Sequence, residues 1–542
     1  MRQILLRLLL LLLLPAGCGG GDEEKVHQGK TVREWTAQLD SQNFDTRHKA
    51  AVALAEIGPP ARSAVPRLIV MLKDYESERK WKEAQPLYEV VGVGIISSDP
   101  PSLTKAAADA LAKIGKDAVP ALIPELKNSN LAVRLSVVSI LSDIGPAAAE
   151  SIAGVADILQ AGPDQRERLA AAGALARIGA GSTDTVAPLV KSMKTDPDAL
   201  VRKTAADSLG ELGKCAASAV PDLIEVVEKK PDFESDAAAA ALGRIGPDAR
   251  AAIPALIDGM TKDNLCRVCA GALVMIGSDS TPALARLFQD ANRKRSTRQI
   301  AVNTLGKLGA AASEAVPALV AALEDGIVEH NAEEALKLIG PCAVPALAEA
   351  LKTMGGRARP KVPEILGAIG AEAKGAAPDL IEFVRNHPDE YWDNMTAERA
   401  LQALAAIAPD DESVVEVFMS LLDDKDRMVR IHSVKGLAAG RSRPEDRIRA
   451  LAQLLGDKDA GFRAEVEESI VAFGEPAIPA LLEALRSDNA KVRESAASAF
   501  RKMGPVAASA VEALTEARDN DPDDGVRREA KRALERILER GR

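Results

Sequence analysis

Aromatic side chains are scarce: Phe, Trp and Tyr make up 3% of the 542 residues, although 47% are hydrophobic. The apolar content is therefore mostly Ala, Leu, Val and Ile. These are small and aliphatic, let helices approach closely, and include the strongest helix formers. No sign of charge dominates. Sixty-nine Lys and Arg are interleaved with seventy-nine Asp and Glu, for a net charge of -10. That balance keeps a large surface soluble and disfavours nucleic acid as a partner, because non-specific nucleic-acid binding needs a dominant basic field. There is no nucleotide-binding glycine loop and no nucleophile elbow. Only five His and five Cys are present.

A long apolar run occurs once, at the start. Met1 to Arg7 holds two positive charges, Arg2 and Arg7, Leu8 to Leu14 is an unbroken apolar run, and Pro15-Ala16-Gly17-Cys18 follows. A basic start, a short apolar core and small residues form the layout of a secretory signal. The run is far short of the ~20 residues a spanning helix needs. Leu14-Pro15-Ala16-Gly17-Cys18 resembles a bacterial lipobox, with Pro15 where that pattern usually has Leu. The resemblance implies that residues 1–17 are a lipoprotein signal peptide and that Cys18 is lipidated. The alternative is an ordinary secretory signal cut near Ala16. Residues 18–30, with Gly19-Gly20-Gly21-Asp22-Glu23-Glu24, read as the lipidated cysteine and a flexible linker. The expected location is the cell envelope, lipid-anchored to a membrane and facing the periplasm or exterior.

Beyond residue 30 one phrase recurs: Ala-Leu-x-x-Ile-Gly, a few small residues, Val-Pro-x-Leu, then a charged loop. The closing glycines are Gly58, Gly115, Gly145, Gly179, Gly213, Gly246, Gly277, Gly309, Gly340, Gly370, Gly440, Gly474 and Gly504. Each unit reads as two helices. Val201, Ala205, Leu209 and Leu212 form an apolar stripe at helical period. Gly213 ends that helix in a left-handed conformation. Val220-Pro221 opens the second helix, where a missing N–H is harmless, and Leu223, Ile224 and Val227 continue the stripe. A pair this small cannot bury its apolar face alone, so neighbours must stack. The expectation is an all-α fold: an α-α superhelix of about fifteen two-helix repeats over residues 31–538, forming a single elongated curved body. An insertion at 75–101 interrupts the period.

These residues resemble HEAT repeats, specifically the short variety shared with phycobilisome lyase subunits. Val133-Arg134 to Gly145, Val201-Arg202 to Gly213 and Val492-Arg493 to Gly504 carry the resemblance best. It implies ladders between repeats, with Asp196, Asp424 and Asp488 capping helices and Arg202, Arg430 and Arg493 reaching the next loop. It also implies second helices that line a concave surface. Counting from each helix-opening proline places Glu225, Asp258, Glu349, Glu382 and Glu483 in an acidic row, beside a basic row of Lys73, Lys127, Lys352, Arg385 and Arg486. Two readings stand. One is a polar groove for a protein or peptide partner. The other is a solvated face held by local pairs, Glu349 with Lys352, Glu382 with Arg385 and Glu483 with Arg486. Within the insertion, Arg79, Lys80, Trp81 and Tyr88 are further partner-binding candidates, as is Trp392 beside His387 and Tyr391.

No catalytic residues, metal site or cofactor is expected. Cys266-Arg267-Val268-Cys269 falls within a first helix and reads as buried small residues. Cys215 and Cys342 lie repeats away, so the cysteines cannot share one zinc. The expected function is a membrane-tethered, non-enzymatic scaffold or adaptor. The alternatives are an enzyme of the chromophore-lyase type and a purely structural spacer.

Overall fold

The computed structural model describes residues 25–74, 102–229, 233–262, 264–386 and 391–538, without the side chains of 391–394. The segment expected to be a signal peptide, Cys18 and the insertion candidates Arg79, Lys80, Trp81 and Tyr88 lie outside the described residues, as does the side chain of Trp392. The fold is all-α, as the repeat spacing predicts. The chain divides into two compact units, residues 1–280 and 281–542. Among the described residues the first unit holds six complete helix pairs and the second holds seven. The second unit ends in the lone helix Asp524–Leu538, which packs on Ala490–Met503 and Val511–Asn520.

One pair shows how sequence makes the unit. Asp198 caps Ala199–Glu211 by accepting from the backbone N–H groups of Leu200 and Val201, which satisfies donors that a helix start leaves free. Val201, Ala205 and Leu209 are fully buried. A 3₁₀ turn, Gly213–Ala219, leads into Val220–Lys229, where Leu223 and Val227 are buried and Ile224 only partly so. The glycines do not adopt the left-handed helical conformation expected of them. Gly145, Gly340 and Gly504 have φ of 67, 69 and 60°, but ψ of -139, -133 and -136°. That region is essentially reserved for glycine, and it turns the chain directly into the 3₁₀ segment. Gly179 and Gly440 have negative φ and are there for space. A Cβ on Gly440 would lie 2.1 Å from Nη1 of Arg447, and one on Gly179 would lie 2.4 Å from Oγ1 of Thr185.

Two stretches, Leu131–Ala161 and Arg295–Glu324, are apolar and long enough to cross a membrane by composition. Gly145 and Gly309, both with positive φ, break each into two helices that pack within their unit.

The linker expected at 18–30 is too long at its C-terminal end. Val26–His27 and Lys30–Thr31 pair as an antiparallel hairpin. Gln28 and Gly29, with φ of 47 and 79°, form its tight turn, the primed geometry that suits strand twist. Trp35 fixes it, donating from Nε1 to the His27 carbonyl at 3.0 Å while the Lys30 ammonium sits 4.4 Å from its ring centroid. Regular structure is therefore present at residues 26–30, before the expected boundary at 31.

The expected ladder exists with different wiring. The caps are Asp198, Asp426 and Asn489, not Asp196, Asp424 and Asp488, because the loop turns one or two residues later. Each arginine reaches both ways. Nη1 of Arg202 donates back to the Asp196 carbonyl at 2.8 Å, and its other edge grips Glu234 in the next repeat at 2.6 and 3.0 Å. Arg168 holds Asp196 in the same way, and Arg134 holds the buried Glu167. Arg430 reaches back to the Asp424 carbonyl but lies forward over the Phe462 ring.

Candidate functional site

The second helices present their sequence-predicted polar residues outward. Asp258, Glu349, Glu382, Arg385, Glu483 and Arg486 are exposed, and Glu225 is half-buried. The reason is helical period: residues five and eight positions after the first residue of a second helix fall opposite the buried Leu at position three. What the side chains touch differs from the local pairing expected. None of Glu349–Lys352, Glu382–Arg385 or Glu483–Arg486 forms an ion pair among the described residues. The partner of Lys352 is Asp379, on the next second helix, at 2.7 Å. A helix drawn in isolation shows only its own neighbours, whereas the seam between repeats offers a shorter reach.

That seam is a repeated device. The residue eight positions into a second helix reaches the following one. Lys73 pairs with Glu125. Gln160 donates from Nε2 to the Pro188 carbonyl at 2.9 Å and to Oγ of Ser192 at 3.0 Å. Lys194 contacts Asp222 and Glu225, each at 2.8 Å. Glu225 also takes Lys229 at 2.6 Å, and Asp258 takes Lys262 at 3.1 Å. The hydrogen bond from Lys194, followed by that from Lys229, brings the Glu225 carboxyl down to about 2. The Lys194 ammonium is correspondingly raised, first by Asp222 and then by Glu225. These groups are exposed, so the pairs set the charge pattern more than the stability.

The pattern differs between the units. On the second helices of residues 25–280, acidic and basic residues are close to balanced. On those of residues 281–542, carboxylates are in clear excess: Glu349, Glu382, Glu416, Glu483, Glu512 and Glu516 are all exposed. Sequence reasoning missed Lys194, Gln160, Asp379, Glu512 and Glu516. Aligning the helix starts would have found Gln160 and Lys194 at position eight and Glu516 at position five, but not Asp379 or Glu512. Counting from proline failed because Pro188 is the third residue of Val186–Thr195 and Val511–Asn520 has no proline.

Cavities along this face are open grooves. One of about 170 Å³ lies at the bridged seam of Lys352 and Asp379, and one of about 630 Å³ lies between the second helices of the last two pairs, lined by Leu482, Leu485, Arg486, Glu512 and Glu516. Cys266 and Cys269 are buried inside the first unit, and burial pushes the Cys269 thiol up to about 12. Among the described residues no three His, Cys, Asp or Glu cluster as a metal-ligand set.

A family model described as HEAT repeats matches residues 93–176, 152–243, 392–471 and 448–535, more than half of the chain. The PBS lyase HEAT-like repeat matches residues 297–325. No curated protein matches. Among solved structures, importin beta in an ammonium sulfate condition is 12% identical over 93% of this chain and 79% of its own, with a TM-score of 0.37. Kap95p, whose binding induces the switch loops of RanGDP to adopt the GTP-bound conformation, is 15% identical over 94% and 78%, also at 0.37. Kap121p bound to RanGTP is 13% identical over 94% and 67%, at 0.36.

Proposed function

The chain belongs to the HEAT repeat family, and on that premise we propose that it is a membrane-tethered, non-enzymatic scaffold that holds protein or peptide partners on its second-helix face at the cell envelope. The observation that carries this reading is that, within each unit, outward side chains stand at matched positions on neighbouring second helices: Glu225 and Asp258 in residues 25–280, and Glu349 with Glu382 and Glu483 with Glu516 in residues 281–542, where shallow open grooves lie at the seams. Such a surface suits an extended partner that meets several repeats in turn. A small-molecule enzyme generally encloses most of its substrate in one concave pocket. The tether rests on Leu14-Pro15-Ala16-Gly17-Cys18. Two or more acyl chains on Cys18 supply stable anchoring, at ~0.8 kcal/mol per buried CH₂.

Crosslinking in native envelopes followed by mass spectrometry tests the scaffold. Reproducible neighbours crosslinked through second-helix residues are expected, and their absence overturns the reading. Metabolic labelling with a radioactive fatty acid tests the tether: label should appear in the wild type and vanish in Cys18→Ser.

A further inference from the structure

The seam between Ile478–Ala484 and Val511–Asn520 lacks the bridge that Lys73, Gln160, Lys194 and Lys352 make at theirs. Arg486 occupies the position of Lys73, Lys194 and Lys352, eight residues after the first residue of its second helix. The residue it should meet, matching Asp222 and Asp379, is Ala513. Leu514 is buried just as Leu223 and Leu380 are, so the alignment is not slipped. Among the described residues no ion pair closes this seam, and the groove is about 630 Å³ against about 170 Å³ at the bridged Lys352–Asp379 seam. Leu482, Leu485, Ala513 and Ala517 supply an apolar floor. Glu512 and Glu516 stand exposed along one side. Glu516 accepts only the Asn520 amide, at 2.9 Å, and Glu512 has no cation among the described residues. The adjoining Glu483 is likewise exposed and without an ion pair.

We propose that this groove docks a cationic segment of a protein partner, one aliphatic side chain lying on Leu482 and Leu485 while neighbouring Lys or Arg side chains reach Glu512 and Glu516. The choice of occupant follows from charge. Glu512 and Glu516 line the groove against the single guanidinium of Arg486, Asp521 being held by Arg493, and the carboxylate excess of the second-helix face in residues 281–542 steers cations towards it. The inference rests on the scaffold reading and names the chemistry of one of its docking points.

The test uses the purified full chain and two fluorescent twelve-residue peptides, one alternating Lys and Leu, the other Glu and Leu. The Lys peptide should bind at least tenfold more tightly, and its affinity should fall with added salt. Ala513→Asp supplies the missing carboxylate to Arg486 and closes the seam. It should weaken the Lys peptide about tenfold while leaving the melting temperature unchanged or higher. Glu512→Lys with Glu516→Lys, both on exposed positions, should do the same without touching the floor, and Glu349→Lys on another seam should have little effect. Equal binding of the two peptides, or full binding by both groove variants, overturns the proposal. The outcome is separable from that of the scaffold reading: crosslinked neighbours that persist unchanged in Ala513→Asp preserve the scaffold and remove this groove from it.

Discussion

Arg493 and Asp521, 28 residues apart, face each other across two repeats through a forked pair of hydrogen bonds, Nε to Oδ2 at 2.7 Å and Nη2 to Oδ1 at 2.9 Å. Both side chains are nearly buried. The remaining edge of the guanidinium closes its own loop by donating to the carbonyls of Ser487 and Asp488. One residue thus shapes the loop behind it and fixes the repeat ahead of it.

Arg493→Ala should therefore destabilise the C-terminal repeats by about 3 kcal/mol, since hydrogen bonds to charged groups contribute roughly 1.5–3 kcal/mol and Asp521 is left without its cation. Urea unfolding measures the loss, and hydrogen exchange should place it in residues 478–538. Arg493→Lys should recover only part, because a point charge cannot make the forked contact.

Acid should loosen the molecule in a defined window. The hydrogen bonds from Arg493 hold the nearly buried Asp521 carboxyl below its ordinary range. A depressed carboxyl is ionised in the folded chain at pH values where the unfolded chain has bound a proton. Its contribution is therefore complete above the unfolded pKa of about 4 and is lost as pH falls through the lower folded value. The urea midpoint should hold steady from neutral pH to about 5 and drop below about 4. Asp521→Asn should flatten that drop.

Two helix glycines should respond in opposite directions to alanine. A Cβ on Gly243 would lie 2.7 Å from the Cα of Ala272, where first helices of successive repeats touch, whereas one on Gly271 meets nothing within 4 Å. Gly243→Ala should cost about 1–3 kcal/mol by overpacking. Gly271→Ala should add roughly 0.5–1 kcal/mol of stability through helix propensity. Thermal melts of the two variants decide the matter.

Thiol reactivity should sort by burial. Iodoacetamide at pH 8 should modify the exposed Cys342 first and leave Cys266 and Cys269 intact in the native chain, because both are buried and the Cys269 thiol, raised to about 12, holds almost no thiolate there. Peptide mapping before and after denaturation checks this. Early labelling of Cys269 would show that the first unit opens.

The repeat was legible because its signals are local. Gly504 and the Val220-Pro221 pair announce a helix end and a helix start from a few adjacent residues, and the buried faces of Val201 and Leu209 follow from periodicity. Contacts across a seam were not legible. Lys352 has Glu349 three residues away and Asp379 on the next helix, and nothing within one helix says which wins. The same blindness misassigned the caps. Asp196 precedes the helix, but its carboxylate belongs to Arg168 of the repeat behind, and Asp198 does the capping.

The arginine rungs have a consequence for ancestry. Each guanidinium refers only to the loop just behind it and the repeat just ahead. A stretch of DNA cut between two equivalent arginine codons and copied in tandem carries a complete set of fittings for both new junctions. Chain length in such a protein is thus a quantity that recombination can raise or lower one unit at a time, with no compensating change needed elsewhere.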